Sequence, residues 1–230
     1  VFAFVGNGMF CGIYYSLRGW AQSATFRYRG RGNDFAAAHY SQLEDRGYIP
    51  AGGIYTNQGG EDLTFRGRHD FSALKRVAAD VEYLSSYPYR EAFTDNFNRA
   101  VSSDILSIVY GVHEDKGILA AVRADRYQGL KRAAQLPTLA TPGIAEQQVR
   151  IFHAPSLELD TTDHLLGNTG LLWNVESSSA GLKRVQPNFV TGGSIERNTM
   201  TPTIANQLAG GGWRLLPSVG VRDTYYKIGR

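Results

Sequence analysis

The side chains best suited to chemistry in this sequence are arginines that recur in segments of strictly alternating character: Arg27, Arg66, Arg68, Arg123, Arg150, Arg214 and Arg222. A guanidinium offers a planar fork of donors that matches phosphate oxygens two at a time. Gathered on one surface, these residues would make a basic lining able to hold phosphorylated groups. The competing reading is cross-strand pairing with Asp70, Asp80, Glu82, Asp125, Glu158 and Glu176, because opposite charges of similar number fall on the same parity. Both readings stand at this level.

Other chemistry finds little support. Serine, histidine and aspartate are present, but no GxSxG nucleophile elbow occurs. His153, His164, Asp160 and Asp163 suggest a metal or acid-base cluster. Alternation, however, turns His153 away from Asp160, and the other two fall in a turn, so an ordinary turn cluster is expected. Gly30, Gly32, Gly52 and Gly53 follow no strand-to-helix pattern that would cradle a phosphate. No catalytic residue, metal ligand or cofactor is expected, and the chain does not read as an enzyme.

The segments that position the arginines have a period of two. From residue 149, Val149, Ile151, His153, Pro155, Leu157 and Leu159 alternate with Arg150, Phe152, Ala154, Ser156, Glu158 and Asp160. Such a strand carries an apolar stripe on one face and its charges on the other. Leu171, Trp173 and Val175 then alternate with Asn174 and Glu176, which suggests a long hairpin. Residues 20–29, 63–71, 75–84 and 118–128 repeat the partition, with Arg76 on the charged parity of residues 75–84. Residues 10–17, 104–113, 189–203 and 213–226 complete a count of about eleven strands. Residues 35–43 read as a strand whose alternation has no clear direction.

The strands are about ten residues long, whereas strands of soluble domains cluster near five or six. Roughly nine to eleven residues are needed to cross hydrocarbon with tilt. Connections near residues 31, 73, 115, 164 and 211 are short, and those after 45, 85 and 129 are long, the pattern of an outer-membrane barrel. The connections at Arg18-Gly19 and 180–187 fit it less well. On the lipid face of a barrel an arginine costs about 2–4 kcal/mol at the midplane, so the charged parity must line an interior. His69 and His153, on the apolar parity, would be tolerable near an interface. Trp20, Trp173, Trp213, Tyr14, Tyr28 and Tyr83 could form an interfacial girdle, or pack the core of a soluble sheet.

Composition agrees. The 230 residues carry 24 Lys plus Arg against 21 Asp plus Glu, net +3, spread along the chain rather than clustered, so nucleic acid is not an expected partner. There is one cysteine, Cys11, and 13 Tyr, 11 Phe, 3 Trp and 26 Gly suit strands and tight turns. No run of about 18 apolar residues is present, which argues against a spanning helix and leaves a barrel open. The expected fold is all-β: residues 1–230 as part of a single antiparallel, up-and-down transmembrane β-barrel domain with further strands outside the piece. An odd strand count and a first residue other than Met are read as marks of a fragment.

Several segments, in order, resemble the barrel region of the lipopolysaccharide-assembly outer-membrane protein family (LptD, also called OstA). They are YYSLRGW at 14–20 with Tyr28-Arg29; GRHDF and VAADVEYLSSY within 67–87; ADRYQ at 124–128; HAPSLELD and LGNTGLLWNVESSSAGLKR within 153–184; and GGWRLLPSVGVRDTYY at 211–226. The resemblance implies a large outer-membrane barrel that holds a plug lipoprotein (LptE-like). It would receive lipopolysaccharide from a periplasmic bridge protein through a jellyroll domain absent from this piece, and release it among outer-membrane lipids through a lateral opening. In that setting the arginines would face phosphorylated sugar headgroups. The gate strands cannot be placed on any residue here. A porin-like or TonB-dependent channel is the alternative function, with a membrane-embedded barrel enzyme and a soluble all-β domain as further alternatives.

Overall fold

A computed structural model describes residues 5–49, 51, 53, 55–93, 102–131, 147–186 and 192–228. Pro50, Gly52, Pro137 and Pro142, expected in long loops, lie outside the described residues, as do residues 189–191 of the expected strand near 189–203. The chain forms one antiparallel sheet of 13 strands in up-and-down order, with a two-stranded ribbon beside it.

In chain order the elements are β1 (Val5–Tyr15), β2 (Gly19–Arg29), β3 (Phe35–Asp45), β4 (Gly60–Ser72), β5 (Lys75–Leu84), α1 (Tyr87–Phe93), β6 (Asp104–Asp115), β7 (Ile118–Lys131), β8 (Gln147–Thr161), β9 (His164–Leu165), β10 (Leu171–Val185), β11 (Ile195–Asn206), β12 (Leu208–Gly210), β13 (Trp213–Leu215), β14 (Ser218–Gly220) and β15 (Asp223–Ile228). The long strands run from 10 residues in β5 to 15 in β8 and β10. Along the sheet the order is β1 to β8, then β10, β11 and β14, with β15 also on β11. The sheet does not close on itself among the described residues.

Alternation makes these strands, and local turn chemistry ends them. Lys116 and Gly117, both at positive φ (48° and 77°), join β6 to β7 in two residues, the geometry that follows the twist of a hairpin. Gly19 opens β2 at φ 120°, and a Cβ there would lie 2.1 Å from the Glu44 carbonyl oxygen, so only glycine fits this corner. In the turn before it, Arg18 donates to both Asp45 carboxylate oxygens at 2.9 and 2.8 Å, and these bonds hold its guanidinium above its ordinary pKa. β3, undirected in sequence because its alanines occupy both parities, takes its orientation from its neighbours: Arg27 pairs Ala37, and Ala37 pairs Arg66.

One end of the sheet carries the turns at 30–34, 73–74 and 116–117; the other carries the connections 46–59 and 85–103. At this loop end sits the buried apolar cluster of Leu43, Leu84, Tyr87, Tyr89, Ile105 and Leu130. Residues 85–103 are therefore not wholly an open connection, because α1 packs its tyrosines here. Tyr89 donates to Ser41 Oγ at 3.0 Å, and burial pushes its phenol above the ordinary tyrosine value. Past Asp80 and Ile108 the pairing of β5 with β6 stops. Ser107 Oγ there bonds the Glu82 backbone, and Gln128 Nε2 donates to the Leu84 carbonyl. The tops of β6 and β7 thus turn one side toward the edge of β5, creasing the sheet.

Two expectations fail in the ladder. The segment 213–226 is not one closing strand. Pro217, which has no N–H to give a ladder, separates β13 from β14; β13 folds onto β12, while β14 and β15 pair with β11. The alternation of residues 149–159 is also not continuous. Opposite β7 the register steps from Arg123↔Ser156 to Asp125↔His153, and opposite β10 from Ala180↔Ser156 to Leu182↔His153. Each partner advances two residues while β8 advances three, so Ala154-Pro155 carries a β-bulge. Every β8 residue before it is transferred to the opposite face from the one that simple alternation assigns.

Candidate functional site

Following the registers from strand to strand divides the sheet into two faces. The charged face holds Arg27 on β2; Arg66, Arg68 and Asp70 on β4; Arg76, Asp80 and Glu82 on β5; Arg123 and Asp125 on β7; Glu158 on β8; and Glu176 on β10. The other face holds Phe26, Phe65, Val77, Ala79, Val81, Val109, Val122, Leu157 and Leu159 at its centre. Val77, Ala79 and Val81 are half-buried among their neighbours and the others stay exposed: Val122 is 50% exposed, Leu157 51% and Leu159 47%.

On the charged face most arginines are paired. Arg66 Nε lies 3.1 Å from Asp80, and Asp70 takes both Arg68 and Arg76 at 2.8 and 2.9 Å. Arg123 reaches Asp125 at 3.2 Å and Glu158 at 3.8 Å. Glu82 pairs with Arg90 of α1, whose side chain is 1% exposed and also donates to the Ser102 carbonyl at 3.3 Å. Arg90 was not singled out in sequence. It lies outside the alternating segments, and only the folding of α1 onto the loop end brings it to Glu82.

Arg27 and Arg222 make no ion pair among the described residues. Arg27 borders a groove of about 520 Å³ with His39, Arg66, Asp80 and Glu82. Arg222, between β14 and β15, borders one of about 370 Å³ with Glu158, Asp160 and Glu176. Among the described residues the face is a lattice of paired charges with unpaired cations between them, of which Arg27 and Arg222 each border a polar groove.

Arg150, His153 and Arg214 require correction. The bulge at Ala154-Pro155 puts Arg150 on the apolar face opposite Gln128, and puts His153 on the charged face, where its Nδ1 lies 2.8 Å from Asp125. His153 therefore shares a face with Asp160 rather than pointing away from it. The four do not gather: His153 is taken by Asp125, His164 lies tilted against Trp173 with ring centroids 5.5 Å apart, and Asp163 accepts a bond from Asn174 at 2.6 Å. Among the described residues no group of His, Cys, Asp and Glu could hold a metal. Arg214 belongs to the β12-β13 ribbon and so has no place on the charged face of the main sheet. Pro155 inside a central strand, and Pro217 inside the last one, were the available signals for these departures.

The aromatic candidates sort by height. Tyr14, Trp20 and Tyr83 lie on the apolar face near the loop end, with Tyr14 directly opposite Trp20; Tyr28 and Trp173 lie on the same face near the turn end. Trp213 is in the ribbon instead. From Trp20 to Tyr28 is eight residues along β2, roughly 26 Å of strand, or about 20 Å of height at a tilt of about 40°. His69 is also at the turn end, bonded to Asp34 at 2.9 Å.

No protein-family model matches the chain, and no curated protein matches it.

Proposed function

We propose that the chain is part of an outer-membrane β-barrel that carries lipopolysaccharide to the outer leaflet. The membrane part of this reading rests on one observation, the uncovered apolar band of the sheet bounded by aromatic residues at both ends. Contiguous apolar surface of this extent is not left to water by soluble monomers. Facing the sheet the other way would bring Arg27, Arg66, Arg76 and Arg123 toward acyl chains at about 2–4 kcal/mol each near the midplane. The band height of about 20 Å is close to the roughly 25 Å apolar belt of outer-membrane barrels. The free edges of β1 and of β14 and β15 would be paired by further strands, since hydrocarbon cannot satisfy open backbone groups.

The cargo rests on the ordered resemblance of the segments at 14–29, 67–87, 124–128, 153–184 and 211–226 to the LptD family. With the charged face turned to the lumen, free cations such as Arg27 and Arg222 would meet phosphorylated sugar, and the paired charges would set the wall. A plug lipoprotein would occupy that lumen, and a periplasmic bridge would deliver the lipid from below.

A photo-crosslinking amino acid in place of Arg27, Arg222 or Val77, in cells making the whole protein, tests this reading. Lipopolysaccharide adducts at 27 and 222 that depend on ongoing transport, with adducts to bulk membrane lipid at 77, are expected. Solute flux through the protein with no lipopolysaccharide adduct at 27 or 222 would contradict it and favour a porin-like channel.

A further inference from the structure

The apolar face carries one basic patch that the lumen account does not use. Arg126 of β7, Arg150 of β8 and Lys183 of β10 surround Phe152: Arg126 and Lys183 are both its register partners, and Arg150 lies two residues along β8. The patch stands at the loop end, on the same face as Tyr83, whose ring lies 5.3 Å from the Arg126 guanidinium carbon. Arg126 also donates to Gln128 Oε1 at 2.5 Å, and its buried Nε has no hydrogen-bond partner. Arg150 and Lys183 are exposed, and neither forms an ion pair among the described residues. By register the nearest carboxylate on this face is Glu196, opposite Gly181; it sits across from Lys227 and accepts from Asn198 instead.

Three cations grouped without a counter-charge repel one another, a cost that a bound anion removes. Toward the middle of the sheet the same face continues as Ala124, Val122, Leu157 and Leu159, a surface for hydrocarbon. Cations directly above an apolar band fit an amphiphile whose headgroup is a phosphate dianion, since guanidinium holds phosphate oxygens in pairs. We infer that Arg126, Arg150 and Lys183 form an outward-facing site for the phosphorylated headgroup of a membrane lipid standing beside the barrel, separate from the lumen path. The inference rests on the membrane orientation proposed above, but not on the identity of the transported cargo.

The test uses the whole protein purified in detergent, with lipid retention read by native mass spectrometry. The probes are a bis-phosphorylated glycolipid and its enzymatically dephosphorylated form, with inorganic phosphate as competitor. Wild type is expected to retain the phosphorylated lipid at least tenfold better than the dephosphorylated one. Arg150→Gln combined with Lys183→Gln should lose that preference, and Arg150→Lys should keep most of it. Millimolar inorganic phosphate should not displace the lipid. Equal retention by wild type and the double variant would overturn the inference, and so would displacement by inorganic phosphate, which would mark a free-anion site. Insertion of both proteins into phosphate-free neutral vesicles keeps the two readings apart. Failure of wild type to insert defeats the membrane reading itself, whereas insertion without headgroup preference defeats this inference alone.

Discussion

The β4-β5 hairpin and strand β8 obey the same alternation and come out differently. In the hairpin, Phe65, Gly67 and His69 face Val81, Ala79 and Val77 while Arg66 faces Asp80 and Asp70 faces Arg76, and the two faces keep their character throughout these pairs. In β8 the pattern looks as regular in sequence, yet the extra residue at Ala154-Pro155 moves Phe152 and Arg150 to one face and His153 to the other. Side-chain period is a local rule, and face assignment is its running sum. One inserted residue changes every assignment beyond it. In β8 the consequence is chemical: His153 gains Asp125, and Arg150 leaves the lattice of paired charges for the patch beside Phe152.

The comparison can be broken most severely by adding a residue to β8 beyond the bulge. One alanine inserted between Ser156 and Leu157, with residues 157–161 held in register, should turn Phe152 toward the charged face and His153 toward the apolar one, against both neighbours at once. Loss of the folded form is expected, a destabilisation above about 3 kcal/mol, read as lost protease resistance and lost strand circular dichroism in detergent. Deleting Pro155 instead removes the extra residue and leaves Phe152 opposite Arg126 and His153 opposite Asp125, so it should cost less; an insertion tolerated as well as the deletion would mean that the neighbours do not fix the faces of β8. Next in size, an arginine placed in the apolar band by Val122→Arg should cost about 2–4 kcal/mol in bilayers. Its neighbour Ala121→Arg, on the charged face, should cost less than about 1 kcal/mol. Denaturant titration of the two in vesicles gives the difference directly.

Smaller effects sharpen the picture of the charged lattice. Arg66 and Asp80 are 71% and 53% exposed at their side chains, so a double-mutant cycle should find a coupling of at most about 1 kcal/mol that fades with salt. Smaller still is the pH response of the loop-end cluster. The Tyr89 phenol is raised by burial, so the neutral form is the one the fold favours. Its contribution is fully present below the ordinary tyrosine value of about 10 and is lost as pH rises through the higher folded value. Tyr89→Phe should flatten that alkaline loss in thermal melts.

Much of the sheet was legible in sequence because half-buried strands write their faces as a two-residue period. The β5 boundaries, the partition of β2, β4, β5 and β7, and the short turns at 30–34, 73–74 and 116–117 were all readable from it. β3 was not orientable, since alanine satisfies either face; its direction came from Arg27 and Arg66 across the ladder. The β8 bulge was masked because His153 and Pro155 sit where alternation places apolar residues, so the letters conceal the extra step. Arg90 and the cluster around Leu84 were illegible for another reason: they depend on contacts between segments far apart in the chain, which periodicity does not record.

Pairs of adjacent alanines in β5 and in β7 give the most direct measurement of which face meets lipid. With the exposed native Cys11 replaced by serine, single cysteines are placed at Ala78 and Ala121 on the charged face and at Ala79 and Ala120 on the apolar face. The whole protein in vesicles is then treated with a membrane-impermeant maleimide. Labelling at 78 and 121 with protection at 79 and 120 is the predicted result. Equal labelling at all four positions, or protection at 78 and 121 instead, would contradict the orientation on which the account depends.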